Sequence, residues 1–183
     1  FSVAEEIRLL GLYGDIDEPT AAEMVHSMYA FMEAGKTYDE NDEEIYKPFE
    51  LVVSTHGGNA LDSFAIYDVM RMVREKCDIE TFGIGKVMSA GVLILAAGTK
   101  GKRRIGKNCR LMLHAVSTVN AGEIHDLENE MEEIRWVQQQ YIRNLVDETD
   151  MTEKYLKNLL DRKVNVYLTS QQAVELGIAD EIV

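Results

Sequence analysis

Proline is nearly absent from this chain: Pro19 and Pro48 are the only two in 183 residues. With 46% hydrophobic and 28% charged residues, the composition is that of a folded globular protein with a substantial core, and it excludes a disordered one. Cysteine is equally scarce. Cys77 and Cys109 stand alone with no C-x-x-C spacing, so two buried thiols in a reducing compartment are expected rather than a disulfide or a metal site. Positive charge is also short, with 19 Lys and Arg against 32 Asp and Glu and a net charge of −13. Phosphate recognition needs clustered cations, so nucleic acid is excluded as a partner and an anionic membrane surface is disfavoured. No apolar run reaches the roughly 18 residues of a membrane span. The longest, Ala90–Ala97, is confined between Ser89 and Gly98. Phe1 in place of Met, with no charged leader, fits a processed chain, and a cytoplasmic or organelle-matrix location is expected.

What is present alternates between strand-like and helix-like patterns. Ile7–Tyr13 reads as a strand closed by Gly14, and Ile16–Pro19 leads into a helix. Ala22, Val25, Tyr29 and Met32 recur at helical spacing and predict its buried face, with Gly35 as its stop. Lys36–Glu44 is polar and acidic, and reads as a solvated loop. A β-branched run, Phe49–Ser54, is broken by His56-Gly57-Gly58. Ala60–Lys76 is helical through Leu61, Phe64, Ile66, Met70 and Val73; Asp78–Ile84 is a strand whose glycines Gly83 and Gly85 allow close backbone approach. Ser89–Ala97 is a helix apolar all round, which predicts full burial. Arg110–His114 is a further strand.

Ala121–Glu148 is a long charged helix with Leu127, Met131, Ile134, Val137, Tyr141 and Leu145 along one stripe. It is too long simply to cover a sheet. It should therefore project and find its partner in another subunit. The alternation predicts an α/β fold with a mostly parallel sheet, and no repeat or linker divides residues 1–183.

Three segments could carry chemistry: Thr55-His56-Gly57-Gly58-Asn59, Met88-Ser89-Ala90-Gly91 and Leu113-His114. Ser89 falls where a strand passes into a helix, so its hydroxyl can be presented beside backbone N–H groups that hold an anion; an ordinary N-cap serine is the other reading. Gly57-Gly58 permits unusual dihedrals and close approach of a substrate, with a backbone N–H converging on one from Ala90; a plain turn fits equally. His114 ends an apolar strand, where a satisfied rim histidine is common. Together the three supply the parts of one acyl-transfer site.

The combination resembles the ClpP serine-peptidase family. The matching pieces are Gly57-Gly58, the G-x-x-x-S-x-G segment Gly85–Gly91, and Leu111-Met112-Leu113-His114. Ala65-Ile66-Tyr67-Asp68, Ala96-Ala97-Gly98 and Ala173–Asp180 resemble further landmarks, in the same order along nearly the whole chain. The resemblance implies a ClpP/crotonase-type spiral of strands and helices forming one peptidase domain over 1–183. It makes Ser89 the nucleophile, His114 the general base, and Gly58 and Ala90 the oxyanion-hole donors. Residues from about 121 to 148 become the handle helix that joins two heptameric rings into a tetradecameric barrel. It implies unfolded polypeptides as substrates, a Clp-type AAA+ unfoldase as partner, and no cofactor or metal.

Several positions depart from the family pattern. Where it usually has Asp as the third catalytic residue, counting back from Thr169-Ser170-Gln171-Gln172 gives Asn165, with Asp161 the alternative and a loop residue bonding its own backbone the structural reading. An Asn carbonyl can accept from a histidine Nδ1–H, but it cannot stabilise the imidazolium by charge. In a trypsin-type triad the Asp-to-Asn change costs about 10⁴-fold in kcat, or roughly 5 kcal/mol. The usual Pro before Gly-Gly is His56, and the usual Gln-Pro after the histidine is Ala115-Val116. The family's pore-guarding segment is mostly missing before Ile7, and Asp39–Glu44 resembles an insertion. Two other readings follow: a weak or inactive ring subunit assembled beside active ones, and a crotonase-type acyl-CoA enzyme, for which the chain is short.

Overall fold

The computed structural model describes residues 7–117 and 123–183. β1 (Leu9–Ile16) leads through the N-cap Asp17, whose carboxylate accepts from the Thr20 N–H at 2.9 Å, into α1 (Glu18–Ala34). The face α1 buries is Ala21, Met24, Met28 and Met32. Of the expected face only Met32 is buried; Val25 and Tyr29 lie at its edge and Ala22 faces solvent. Both rows are apolar, and packing against the sheet decides between them.

The acidic stretch expected as a loop is a hairpin of β2 (Lys36–Tyr38) and β3 (Glu44–Tyr46), paired antiparallel. Thr37, Tyr38, Ile45 and Tyr46 suit strands, and Asp39 fixes the turn by accepting from the Asn41 and Glu43 N–H groups at 2.8 and 2.9 Å.

β4 (Phe49–Gly58), α2 (Ala60–Val73), β5 (Ile79–Met88) and α3 (Ala90–Ala96) form the centre of the molecule. Both strands outrun their expected ends because each is paired along its length. β4 stays parallel to β1 as far as Ile16↔Gly58, and β5 lies beside β4. The first half of β5 pairs on its other side with β6 (Arg103–Ile105), the second half with β7 (Arg110–Leu113). Gly85, at φ +62°, stands at the changeover. α2 stops before Arg74 rather than at Lys76, and Leu61 is exposed. All seven residues of α3 are buried, as its apolar sequence predicts.

α4 (Ile124–Glu148) is long enough to reach roughly 37 Å at 1.5 Å per residue. The expected first residues, Ala121 and Gly122, lie outside the described residues, as does the whole stretch before Ile7. The stripe of α4 is buried in its second half, at Val137, Tyr141 and Leu145. Towards the start it is uncovered: Met131 is 48% exposed and Ile124 beside it 74%. Glu148, 1% exposed, fixes the base of the helix. Its carboxylate accepts from Arg74 at 2.6 and 2.8 Å and from the Tyr67 hydroxyl at 2.9 Å, while the Glu148 carbonyl accepts from Arg103 at 2.7 Å.

The chain closes with α5 (Glu153–Leu160), β8 (Val166–Leu168), α6 (Ser170–Glu175) and β9 (Glu181–Ile182). One sheet runs β1-β4-β5-β6-β9, with β7 and β8 branching from β5; its pairings are parallel except β7 with β8. This is the expected α/β class. Cys77 and Cys109 are free and buried, and burial pushes the Cys109 thiol up to about 11. No helix among the described residues is long and apolar enough to cross a membrane.

Candidate active site

Ser89 occupies the step from β5 into α3 at φ +53° and ψ −124°. A non-glycine residue held at positive φ costs about 1–3 kcal/mol unless its surroundings enforce it. Here they do. The Ser89 N–H donates to the Met112 carbonyl at 2.7 Å, and its carbonyl accepts from the Val92 N–H at 3.0 Å and the Tyr141 hydroxyl at 2.8 Å. The side chain makes no capping bond to the helix, which disposes of the N-cap reading. The hydroxyl is directed instead at His114, with Oγ 2.8 Å from Nε2.

The sheet brings these two side chains together. β5 and β7 pair in parallel up to Met88↔Met112, so Ser89 and His114 leave neighbouring strands at the same edge. Both are half-buried, shielded yet reachable. Gly57 and Gly58 reach the same edge from β4. Gly57, at φ +92°, donates its N–H to Thr55 Oγ1 at 2.9 Å, and Thr55 Oγ1 in turn donates to the Gly14 carbonyl. At Gly58 a Cβ would lie 2.2 Å from the Ile16 carbonyl oxygen, so no larger residue fits. Ala90 opens α3, where an N–H has no acceptor one turn back in the helix.

Ser89, His114, Gly58 and Ala90 line one cleft of about 190 Å³, walled by Ser63, Val116 and Tyr141. Four of the five expected site residues therefore share a cavity. The fifth, Asn165, is exposed at the residue before β8. β8 runs antiparallel to β7 with Leu113↔Val166 as the outermost pair, so one further step of that register sets Asn165 opposite His114. Among the described residues no hydrogen bond joins His114 to Asn165 or to Asp161, which caps the C-terminus of α5. No group of three or more His, Cys, Asp or Glu suited to a metal occurs among the described residues.

Sequence reasoning placed Tyr141 only on the apolar stripe of the long helix and left Gln138 and Thr55 without a role. Their contributions depend on contacts between segments tens of residues apart, for which no local pattern exists. A hydroxyl hydrogen-bonded to an imidazole beside backbone donors is the geometry that nucleophilic acyl transfer requires.

The model of the family described as Clp protease matches residues 2–183. A protein named ATP-dependent Clp protease proteolytic subunit 4, from Rhodococcus jostii, is 36% identical over 145 residues, covering 79% of this chain and 71% of its own. The proteolytic subunit 1 of Prochlorococcus marinus is 30% identical over 173 residues, covering 94% and 82%. That of Corynebacterium jeikeium is 28% identical over 176 residues, covering 96% and 87%.

Proposed function

This chain belongs to the Clp protease family and is a serine-type peptidase, and from that premise we propose that it cleaves unfolded polypeptides through an acyl-enzyme formed on Ser89. The observation that carries this is the 2.8 Å approach of Ser89 Oγ to His114 Nε2. As Oγ attacks the peptide carbonyl carbon, its proton passes to Nε2 and the carbonyl oxygen takes up the negative charge. Gly58 and Ala90 line the cleft beside Ser89, and their backbone N–H groups are the donors we assign to that oxyanion. The proton then goes from Nε2 to the leaving amine as the C–N bond breaks. Water, deprotonated by the same nitrogen, releases the acid and restores Ser89.

For Nε2 to accept, Nδ1 must carry the hydrogen, and Asn165 is the residue we propose as its acceptor. The register of β7 and β8 supports that choice over Asp161. Neutral Asn fixes the tautomer without adding a charge.

One peptidase domain over the chain, assembled as two stacked heptameric rings, completes the reading. The uncovered apolar start of α4 supports it, because Ile124, Leu127 and Met131 line one face together, and a contiguous exposed apolar face calls for a partner. The relatives are named proteolytic subunits of an ATP-dependent protease, which supports a Clp-type AAA+ unfoldase as the partner that delivers chains to the barrel, and we place this assembly in the cytoplasm or an organelle matrix. The test is turnover of short fluorogenic peptides by protein shown by light scattering to be assembled. Steady turnover that disappears in Ser89→Ala supports the reading; equal turnover in that variant refutes it.

A further inference from the structure

We propose that Tyr141, on α4, is a positioning residue for Ser89: its phenol O–H, donated to the Ser89 carbonyl oxygen at 2.8 Å, holds the nucleophile in the backbone conformation that aims Oγ at His114. The inference rests on the reading of Ser89 as nucleophile.

Ser89 is held at φ +53°, where an L residue does not rest unaided, so what surrounds it has to fix it there. Three backbone contacts do so. The Val92 N–H is supplied by the first turn of α3, and the Met112 carbonyl by β7. Among the described residues Tyr141 is the one side chain that hydrogen-bonds the Ser89 backbone, and it does so across 52 positions of sequence. Its ring is buried, and burial pushes the phenol well above its ordinary pKa, so it remains a protonated donor wherever the enzyme works.

A tyrosine hydroxyl in any core needs an acceptor, and satisfying it could be all that this bond does. Two further observations favour positioning. The Ser89 carbonyl already has a donor in Val92, so Tyr141 is not required to satisfy it. Gln138, one turn earlier on α4, acts likewise on the other half of the pair: its Oε1 accepts from the N–H of Val116, two residues beyond His114, at 3.2 Å. The same helix thus grips the chain behind both reacting side chains, and its base is fixed by Glu148 against Arg74 and Tyr67.

Tyr141→Phe isolates the bond, because the ring that walls the cleft is kept and only the donor is lost. With a short peptide substrate, kcat and the rate of Ser89 labelling by a fluorophosphonate are expected to fall roughly 3- to 10-fold, the range of one ordinary hydrogen bond. KM should stay within about twofold, since the wall of the cleft is unchanged. Replacing Tyr141 with 3-fluorotyrosine, which keeps the hydroxyl, should restore both rates. Unchanged kcat and labelling in Tyr141→Phe overturn the proposal while leaving Ser89 as nucleophile. Loss of assembly, or a fall in KM-dependent binding instead of kcat, makes Tyr141 a structural or substrate-contacting residue and overturns it too. A wild-type protein that takes no label at Ser89 defeats both this proposal and the function on which it rests.

Discussion

Gly57 and Ser89 lie so close that a methyl group on the first would sit 2.8 Å from the Cβ of the second, and equally close to the Met88 carbonyl oxygen. The strand that ends in two glycines and the turn that carries the serine are therefore fitted to one another. Gly57→Ala adds that methyl group at φ +92° as well, so Ser89 and the Met88 carbonyl that leads into it must give. Displacing a nucleophile by about 1 Å costs on the order of 10²-fold in rate. Peptidase activity of Gly57→Ala should fall by at least that factor, measured on protein whose assembly is confirmed by light scattering.

The third member of the site is decided by two substitutions. If Asn165 accepts from His114 Nδ1–H, Asn165→Ala should lower kcat by roughly 3- to 10-fold, as loss of a neutral hydrogen bond does. Asp161→Ala should change it by less than about twofold, since Asp161 caps α5 and lies outside the β7–β8 register that sets Asn165 opposite His114. The reverse ranking in a steady-state assay would transfer the role to Asp161.

Glu148 is buried under a guanidinium and a phenol, so removing it strands both partners. Breaking a buried ion pair from one side costs about 3–5 kcal/mol, and the partial exposure of Arg74 argues for the lower end. Glu148→Ala should therefore lose about 3 kcal/mol in urea unfolding at a fixed protomer concentration, because assembly contributes to the midpoint.

Asp180 predicts a pH dependence. Burial by itself would raise its carboxyl, but the Arg103 side chain and the Arg103 and Gly101 N–H groups outweigh burial and hold it below the ordinary carboxylate value. A group whose pKa is depressed by folding stabilises the fold above its unfolded pKa and loses that contribution as pH falls through the folded one. Asp180→Asn should be clearly less stable than wild type at pH 7. The difference should shrink below about pH 4, the ordinary Asp range. A difference that stays constant from pH 7 to pH 3 would contradict this.

Much of this was legible in the sequence, for identifiable reasons. The all-apolar Val92–Ala97 run had nowhere to go but the interior, and the Gly57-Gly58 and Ser89 segments carried their own backbone signals. The stripe on α4 was legible from its helical spacing, and its second half is buried at Val137, Tyr141 and Leu145. What failed was decided by contacts. The face of α1 turned on which of two apolar rows met the sheet, and the hairpin at Lys36–Tyr46 was hidden by the acidic residues at its tip. β5 continued to Met88 because β7 was there to pair with it. The Tyr141 bond to Ser89 joins positions 52 apart, and no periodicity encodes that.

The central claim is that Ser89 is activated by His114, and covalent labelling tests it most directly. Intact protein treated with a fluorophosphonate should gain the mass of one adduct per chain, mapped to Ser89. Ser89→Ala should gain none, and His114→Ala should react at least about 10³-fold more slowly, as loss of a general base requires. An assembled wild-type protein that takes no adduct, or one that labels equally well without His114, would contradict the account.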